Sequence, residues 1–260
     1  MKRVLIFSVL FSNLPATTIN IPSDYTTIQE GINASVDGDT VLIAQGTYYE
    51  NLILENEIVL ASHAINDDLN SDWLNNVNIQ ETIISGAQEP VDPNKGSCLV
   101  IRDGNIAPTI IGLTFQDGIG TAMVEFDTCE VNVQRRELSG GAILIFEAYP
   151  TINYNRFINN GFSSDSQRSR GVEIMESNGG AISQYSAEEV EFDEDRNNVW
   201  RNTSSIRTVP PTMNIQNNYF ENNSSVDGKN FYSHGYEGSI DVSYSIFDDI
   251  DCASNSVNKF

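Results

Sequence analysis

The densest run of reactive side chains lies between residues 186 and 210. Glu188, Glu189, Glu191, Asp193, Glu194 and Asp195 are followed directly by Arg196, and then by Trp200 and Arg201. Carboxylate oxygens at this density suit a hard cation such as Ca2+. An arginine grips carboxylates through its planar fork, and a basic side chain beside a bound cation can abstract a proton next to a substrate carboxylate. A tryptophan offers a flat apolar face to a sugar ring. Asp193, Asp195, Arg196, Trp200 and Arg201 are therefore the candidate ligand-binding residues for a saccharide, and Ca2+ is a cofactor that the acidic cluster could bind. Set against this, the Glu-x-Glu-x-Asp spacing is no EF-hand loop, and acidic runs are most often solvated loops.

Other reactive residues form no constellation. Asp248-Asp249 follows His234-Gly235 at a distance and sits at a polar position of a repeat described below, which favours a structural role. Cys98, Cys129 and Cys252 lack a C-x-x-C spacing, and His63 and His234 lie far apart, so Cys/His metal binding has no support. The three cysteines read as small core residues, with one bridge at most. P-loop, Rossmann and Gly-x-Ser-x-Gly patterns are missing. No residue qualifies as catalytic on these grounds.

Charge narrows the partners. The 260 residues carry 36 acidic and 14 basic side chains, a formal net charge of −22. Nucleic acid is excluded as a partner, because its binding rests on cationic side chains that neutralise phosphates. Anionic membrane surfaces are disfavoured for the same reason. Repulsion also weighs against a polyanionic substrate unless cations bridge it.

The elements that must position any site begin after residue 16. Lys2 and Arg3, the apolar run Val4 to Phe11 and Leu14-Pro15-Ala16 fit a secretory signal over residues 1–16. That run is too short to span a bilayer. Residues 17–260 then read as one domain, secreted or held at the cell surface. Tyr25, Ile28 and Ile32 share one helical face, and both Thr26-x-x-Gln29 and Thr27-x-x-Glu30 fit a capping box, predicting a short helix over 27–35. Beyond it, short apolar runs bounded by Gly, Asn, Asp or Pro predict many short strands.

Four segments share a pattern. Aligned on phenylalanine, 108–118, 150–161, 213–223 and 240–250 read [Ile/Val]-x-x-[Leu/Asn/Ser]-x-Phe-x-[Asp/Asn]. The aromatic is Phe115, Phe157, Phe220 and Phe247, and Gly-Gly-Ala-Ile recurs at 140–143 and 179–182. Strands that carry one inward Ile and one inward Phe cannot bury them alone; stacked copies can. Asparagine suits the corners, because it tolerates the left-handed conformation and its amide can ladder between copies. The pattern predicts Phe157 stacked with Phe115 and Phe220, and Asn155 or Asn159 at a bend. Residues 121–139, 162–178 and 186–210 interrupt the repeat and are expected as polar loops on the outside, where a scaffold carries function.

The segment PSDYTTIQEGINASVDGDTVLIAQGTYYENL resembles the N-terminal cap and first strand of pectin-lyase-like right-handed parallel β-helix proteins. The downstream repeat is similar to that of secreted bacterial members of this group and of polymorphic outer-membrane proteins. The resemblance is good over 21–161 and looser over 211–250. It implies an all-β right-handed parallel β-helix with a short N-terminal capping helix and polar loop insertions. It also implies an end cap that "DDIDCASNSVNKF" does not match, so the chain is expected to be a fragment of a longer protein or to dock its open end. Motifs of the family's enzymes are not met. The Gln-Asp-Thr and Asp-Phe-Ile-Phe-Gly motifs of pectin methylesterases are absent. Polygalacturonase-type enzymes place Asp-Asp before Gly-His-Gly and Arg-Ile-Lys; here Asp248-Asp249 comes after His234-Gly235, and Arg-Ile-Lys is missing. The expected function is a secreted or cell-surface scaffold that binds carbohydrate or adheres without catalysis. The alternative is a lyase or glycoside hydrolase acting on an acidic glycan through 186–210.

Overall fold

The computed structural model describes residues 15–86, 95–102, 106–126, 134–162, 167–169, 172–186, 191–193, 199–200, 211–234, 236, 238–249 and 252–254. The expected secretory signal over residues 1–16 lies almost wholly outside the described residues, as do Cys129, Glu188, Glu189, Glu194, Asp195, Arg196 and Arg201. Among the described residues no helix is long and apolar enough to cross a membrane.

Short strands dominate, and the chain deals them to three parallel sheets in rotation. Thr40–Ile43, Gly46–Tyr49 and Leu52–Leu54 enter the first, second and third sheets, and the chain then begins again. Val59–Ser62, Thr82–Ser85 and Leu99–Ile101 make the second circuit. Thr109–Ile111, Thr114–Gln116 and Ile143–Phe146 make the third. Thr151–Asn153, Arg156–Ile158 and Ile182–Tyr185 follow, then Met213–Gln216, Tyr219–Glu221 and Phe231–His234. Ile240–Asp241, Ile246–Phe247 and Cys252–Ser254 form the sixth. Thr18–Ile21 precedes them on the first sheet.

Register explains why the repeat is spaced as it is. Val41, Leu60, Ile110, Ile152 and Ile215 pair in a column on the first sheet, all fully buried. Leu52, Leu99, Ile143, Ile182 and Phe231 do the same on the third. On the second sheet, Phe115 stacks on Phe157 at 5.5 Å, Phe157 on Phe220 at 4.9 Å and Phe220 on Phe247 at 4.7 Å. The expected aromatic stack is present and runs one ring further. Parallel neighbours sit about 4.8 Å apart, so each ring lands on the next with no offset to absorb.

The two corners divide the work expected of asparagine between adjacent residues. Between the first and second sheets, Tyr154 and Asn217 take positive φ, and the residues that follow form a ladder. Leu113 N donates to Asn155 Oδ1 at 3.0 Å, Asn155 N to Asn218 Oδ1 at 3.0 Å and Asn218 N to Ser245 Oγ at 3.2 Å. Asn155 and Asn218 return Nδ2 bonds to the Ile110 and Ile152 carbonyls. Between the second and third sheets, Asp117, Asn159 and Asn222 are left-handed, and Asn160 and Asn223 make the second ladder. Asn159 is thus the bend and Asn155 the buried rung.

The N-terminal end is closed by the helix Ile28–Ala34. Of the two capping boxes, the Thr27–Glu30 pair forms. Glu50 accepts from Ile28 N and Gln29 N, placing a carboxylate on the positive helix end. Gln29 bonds both Ile53 N and Ile53 O, so its amide stands in for a neighbouring strand on the third sheet. Ile28 and Ile32 pack into the main core.

The interrupting segments are not loops throughout. Gly120–Phe126, Gln134–Ser139, Gln167–Ser169, Val172–Asn178, Glu191–Asp193 and Val199–Trp200 join a fourth, mostly antiparallel sheet. Long excursions must satisfy their backbone polar groups, and pairing with one another does so.

Candidate functional site

The predicted ligand residues fall on the fourth sheet or outside the described residues. Asp193 ends Glu191–Asp193 and pairs with Val199, while Trp200 pairs with Phe192. Glu191 and Phe192 pair in turn with Val124 and Met123. Segments from different circuits thus meet in one sheet. Asp195, Arg196 and Arg201 lie outside the described residues.

Where this sheet joins the third parallel sheet, buried hydroxyls pair with one another. Thr121 Oγ1 donates to Ser97 Oγ at 2.8 Å, and Ser139 Oγ bonds Tyr185 OH at 2.7 Å. The outward face of the third sheet buries Val100, Leu144, Phe146, Tyr185 and Tyr232 as a second small core. His234 lies against the Tyr185 ring at 5.8 Å. Cys98 is buried and unbridged, and desolvation pushes its thiol up to about 12, as suits an inert core residue. Asp248 accepts from Asn222 N, and Asp249 pairs with Lys229 Nζ at 2.7 Å, both structural uses. Among the described residues no three His, Cys, Asp or Glu side chains could together hold a metal ion.

A second region emerges only in three dimensions. Between Val59–Ser62 and Thr82–Ser85 the chain makes two 3-10 turns, His63–Asn66 and Trp73–Asn75, and the short helix Val77–Glu81. Ala64, Leu69 and Ile79 form a satellite core against which Trp73, Ile111 and Tyr154 pack. Trp73 meets Tyr154 edge to face at 5.7 Å. Around them, Asn76 and Asn78 each donate to Asp67 Oδ2 at 2.8 Å, and these bonds hold the Asp67 carboxyl below its ordinary value. Asn75 donates to Asp72 Oδ1, and Gln45 to Asn78 Oδ1. Aromatic rings set among exposed carboxylates and amides suit a ligand with apolar faces and many hydroxyls. The repeat pattern does not point to this insert; its sequence signal is Trp73 inside the Asp/Asn-rich run 66–76.

Compared with protein-family models, curated proteins and solved structures, the chain matches none of them.

Proposed function

We propose that the chain is a right-handed parallel β-helix of the pectin-lyase-like type, secreted or at the cell surface, that works as a non-catalytic carbohydrate-binding or adhesive scaffold. The observation that carries this reading is the division of labour along the chain. Asn155, Asn160, Asn218 and Asn223, the asparagines of the two ladders, are buried and bonded to neighbouring circuits. The extra sequence is spent on surface structures, where a scaffold carries its specificity. Export rests on Lys2, Arg3 and the apolar run to Phe11.

The second reading, a lyase or hydrolase acting on an acidic glycan, rests on the acidic run with Arg196 and on Ca2+ chemistry. A screen of neutral glycans and polyuronates, with and without Ca2+, separates the two. Binding without release of shortened or unsaturated products is expected. Calcium-dependent release of unsaturated sugars, lost in Asp193→Ala or Arg196→Ala, overturns the scaffold reading.

A further inference from the structure

In the third to sixth circuits the corner between the first and second sheets holds one left-handed residue each: Gly112 (φ 72°), Tyr154 (57°), Asn217 (54°) and Tyr244 (59°). Each precedes a residue of the first ladder, so the four stand in one row along the stack. Glycine and asparagine adopt this conformation readily; a bulky side chain does so against a steric penalty. At Tyr154 packing on Trp73 and the satellite core offsets it. At Tyr244 no described packing does, because the residue is 79% exposed. A strained, exposed aromatic where the fold accepts asparagine one circuit earlier asks for a reason outside stability.

Spacing and chemistry supply one. Tyr154 and Tyr244 are two circuits apart, about 9.5 Å along the stack, which is close to the length of one disaccharide in an extended glycan. Asn217 lies between them with an amide that can serve hydroxyls. Trp73 lies beside Tyr154, extending the aromatic surface. Carboxylates stand near both ends, Asp72 beside Trp73 and Asp241 three residues before Tyr244, so a polyanion is repelled.

We propose that this corner row, Trp73, Tyr154, Asn217 and Tyr244, is a binding platform for a neutral, extended polysaccharide lying along the stack of circuits. The proposal rests on the carbohydrate-binding reading and gives it a site and a ligand class.

Titration calorimetry with neutral β-1,4-linked hexasaccharides (cello-, xylo- and manno-) and with polygalacturonate tests it, using the parent, Tyr244→Asn and Tyr49→Ala. The parent is expected to bind a neutral hexasaccharide and not polygalacturonate. Tyr244→Asn is expected to bind about tenfold more weakly, the loss of one stacked ring, while unfolding at no lower urea concentration than the parent. Tyr49→Ala, which removes an exposed ring away from this corner, is expected to bind as the parent does. Unchanged affinity in Tyr244→Asn overturns the platform and leaves the scaffold reading standing. Preference for polygalacturonate overturns the ligand class. A parent that binds no glycan overturns both readings together.

Discussion

Gly141→Ala is expected to lower the urea midpoint by a large fraction of the parent's value. Gly141 is the second residue of the first Gly-Gly-Ala-Ile element, at the corner where the second sheet hands the chain to the third. A methyl group there would overlap the Gly180 carbonyl oxygen and the Gly161 amide nitrogen, and would lie 2.7 Å from Gly161 Cα. All three are backbone, so no side chain can swing aside. Gly161 N in turn bonds Gly118 O and Gly141 N bonds Gly179 O, which ties the movement needed to both the third and the fourth circuits. Overpacking typically costs 1–3 kcal/mol and more where nothing yields; here about 4 kcal/mol is expected against a total of roughly 5–15. Gly38→Ala is the control. Nothing lies within 4 Å of its added carbon, and only its φ of 90° opposes the change, at about 1 kcal/mol. Equal losses in the two variants would remove the close-packed corner from the account.

Asn218→Ala is expected to cost about 3 kcal/mol. Asn218 is fully buried; its Oδ1 accepts Asn155 N at 3.0 Å and its Nδ2 donates to Ile152 O at 2.8 Å. Truncation strands a buried donor and a buried acceptor, each worth about 1–3 kcal/mol. Asn218→Ser is expected to recover part of the loss, because Ser245 fills the same position one circuit on, accepting from Asn218 N and donating to Ile215 O at 3.4 Å. Asn222→Ala, at an exposed left-handed corner with φ 54°, is the comparison; it forfeits only conformational preference, about 1 kcal/mol. Chemical denaturation of the three variants reads the order directly. A loss at Asn222 equal to that at Asn218 contradicts the rung-and-bend assignment.

These variants mark what the sequence makes legible. A helix announces itself through Ile28 and Ile32, and its start through Thr27 and Glu30, whereas Tyr25, expected on the same face, precedes the helix and is exposed. The Phe and Ile columns show as a repeat because each inward position needs the same residue type in every circuit. Gly-Gly-Ala-Ile recurs for steric reasons that become visible only when Gly118, Gly141, Gly161 and Gly180 are seen in contact. Adjacent asparagines such as Asn159 and Asn160 cannot be told apart by composition, because one is chosen for its backbone and the other for its amide. The fourth sheet is harder still. Its strands pair across long separations, as Met123 does with Phe192, and no local period specifies the partner. The helical insert hides for a different reason: its helix is five residues long, and its packing partners Ile111 and Tyr154 arrive from later circuits. Asp193 and Trp200 stood out by residue type, and register then placed them on paired strands of one hairpin, Asp193 opposite Val199 and Trp200 opposite Phe192.

The most direct test of the account is a set of disulfide cross-links between circuits, in a background with Cys129 and Cys252 replaced by serine. Thr109, Thr151 and Asn214 are half-buried residues that pair in sequence on the first sheet, Thr109 with Thr151 and Thr151 with Asn214. Parallel neighbours about 4.8 Å apart fall within disulfide range, whereas Thr109 and Asn214, about 9.5 Å apart, do not. Mild oxidation of the 109/151 and 151/214 cysteine pairs is predicted to close both bridges in the folded protein, and the 109/214 pair is predicted to stay reduced. Failure of the two neighbouring pairs to bridge, or bridging of 109/214 with equal ease, would contradict the stacking of circuits on which every other conclusion rests.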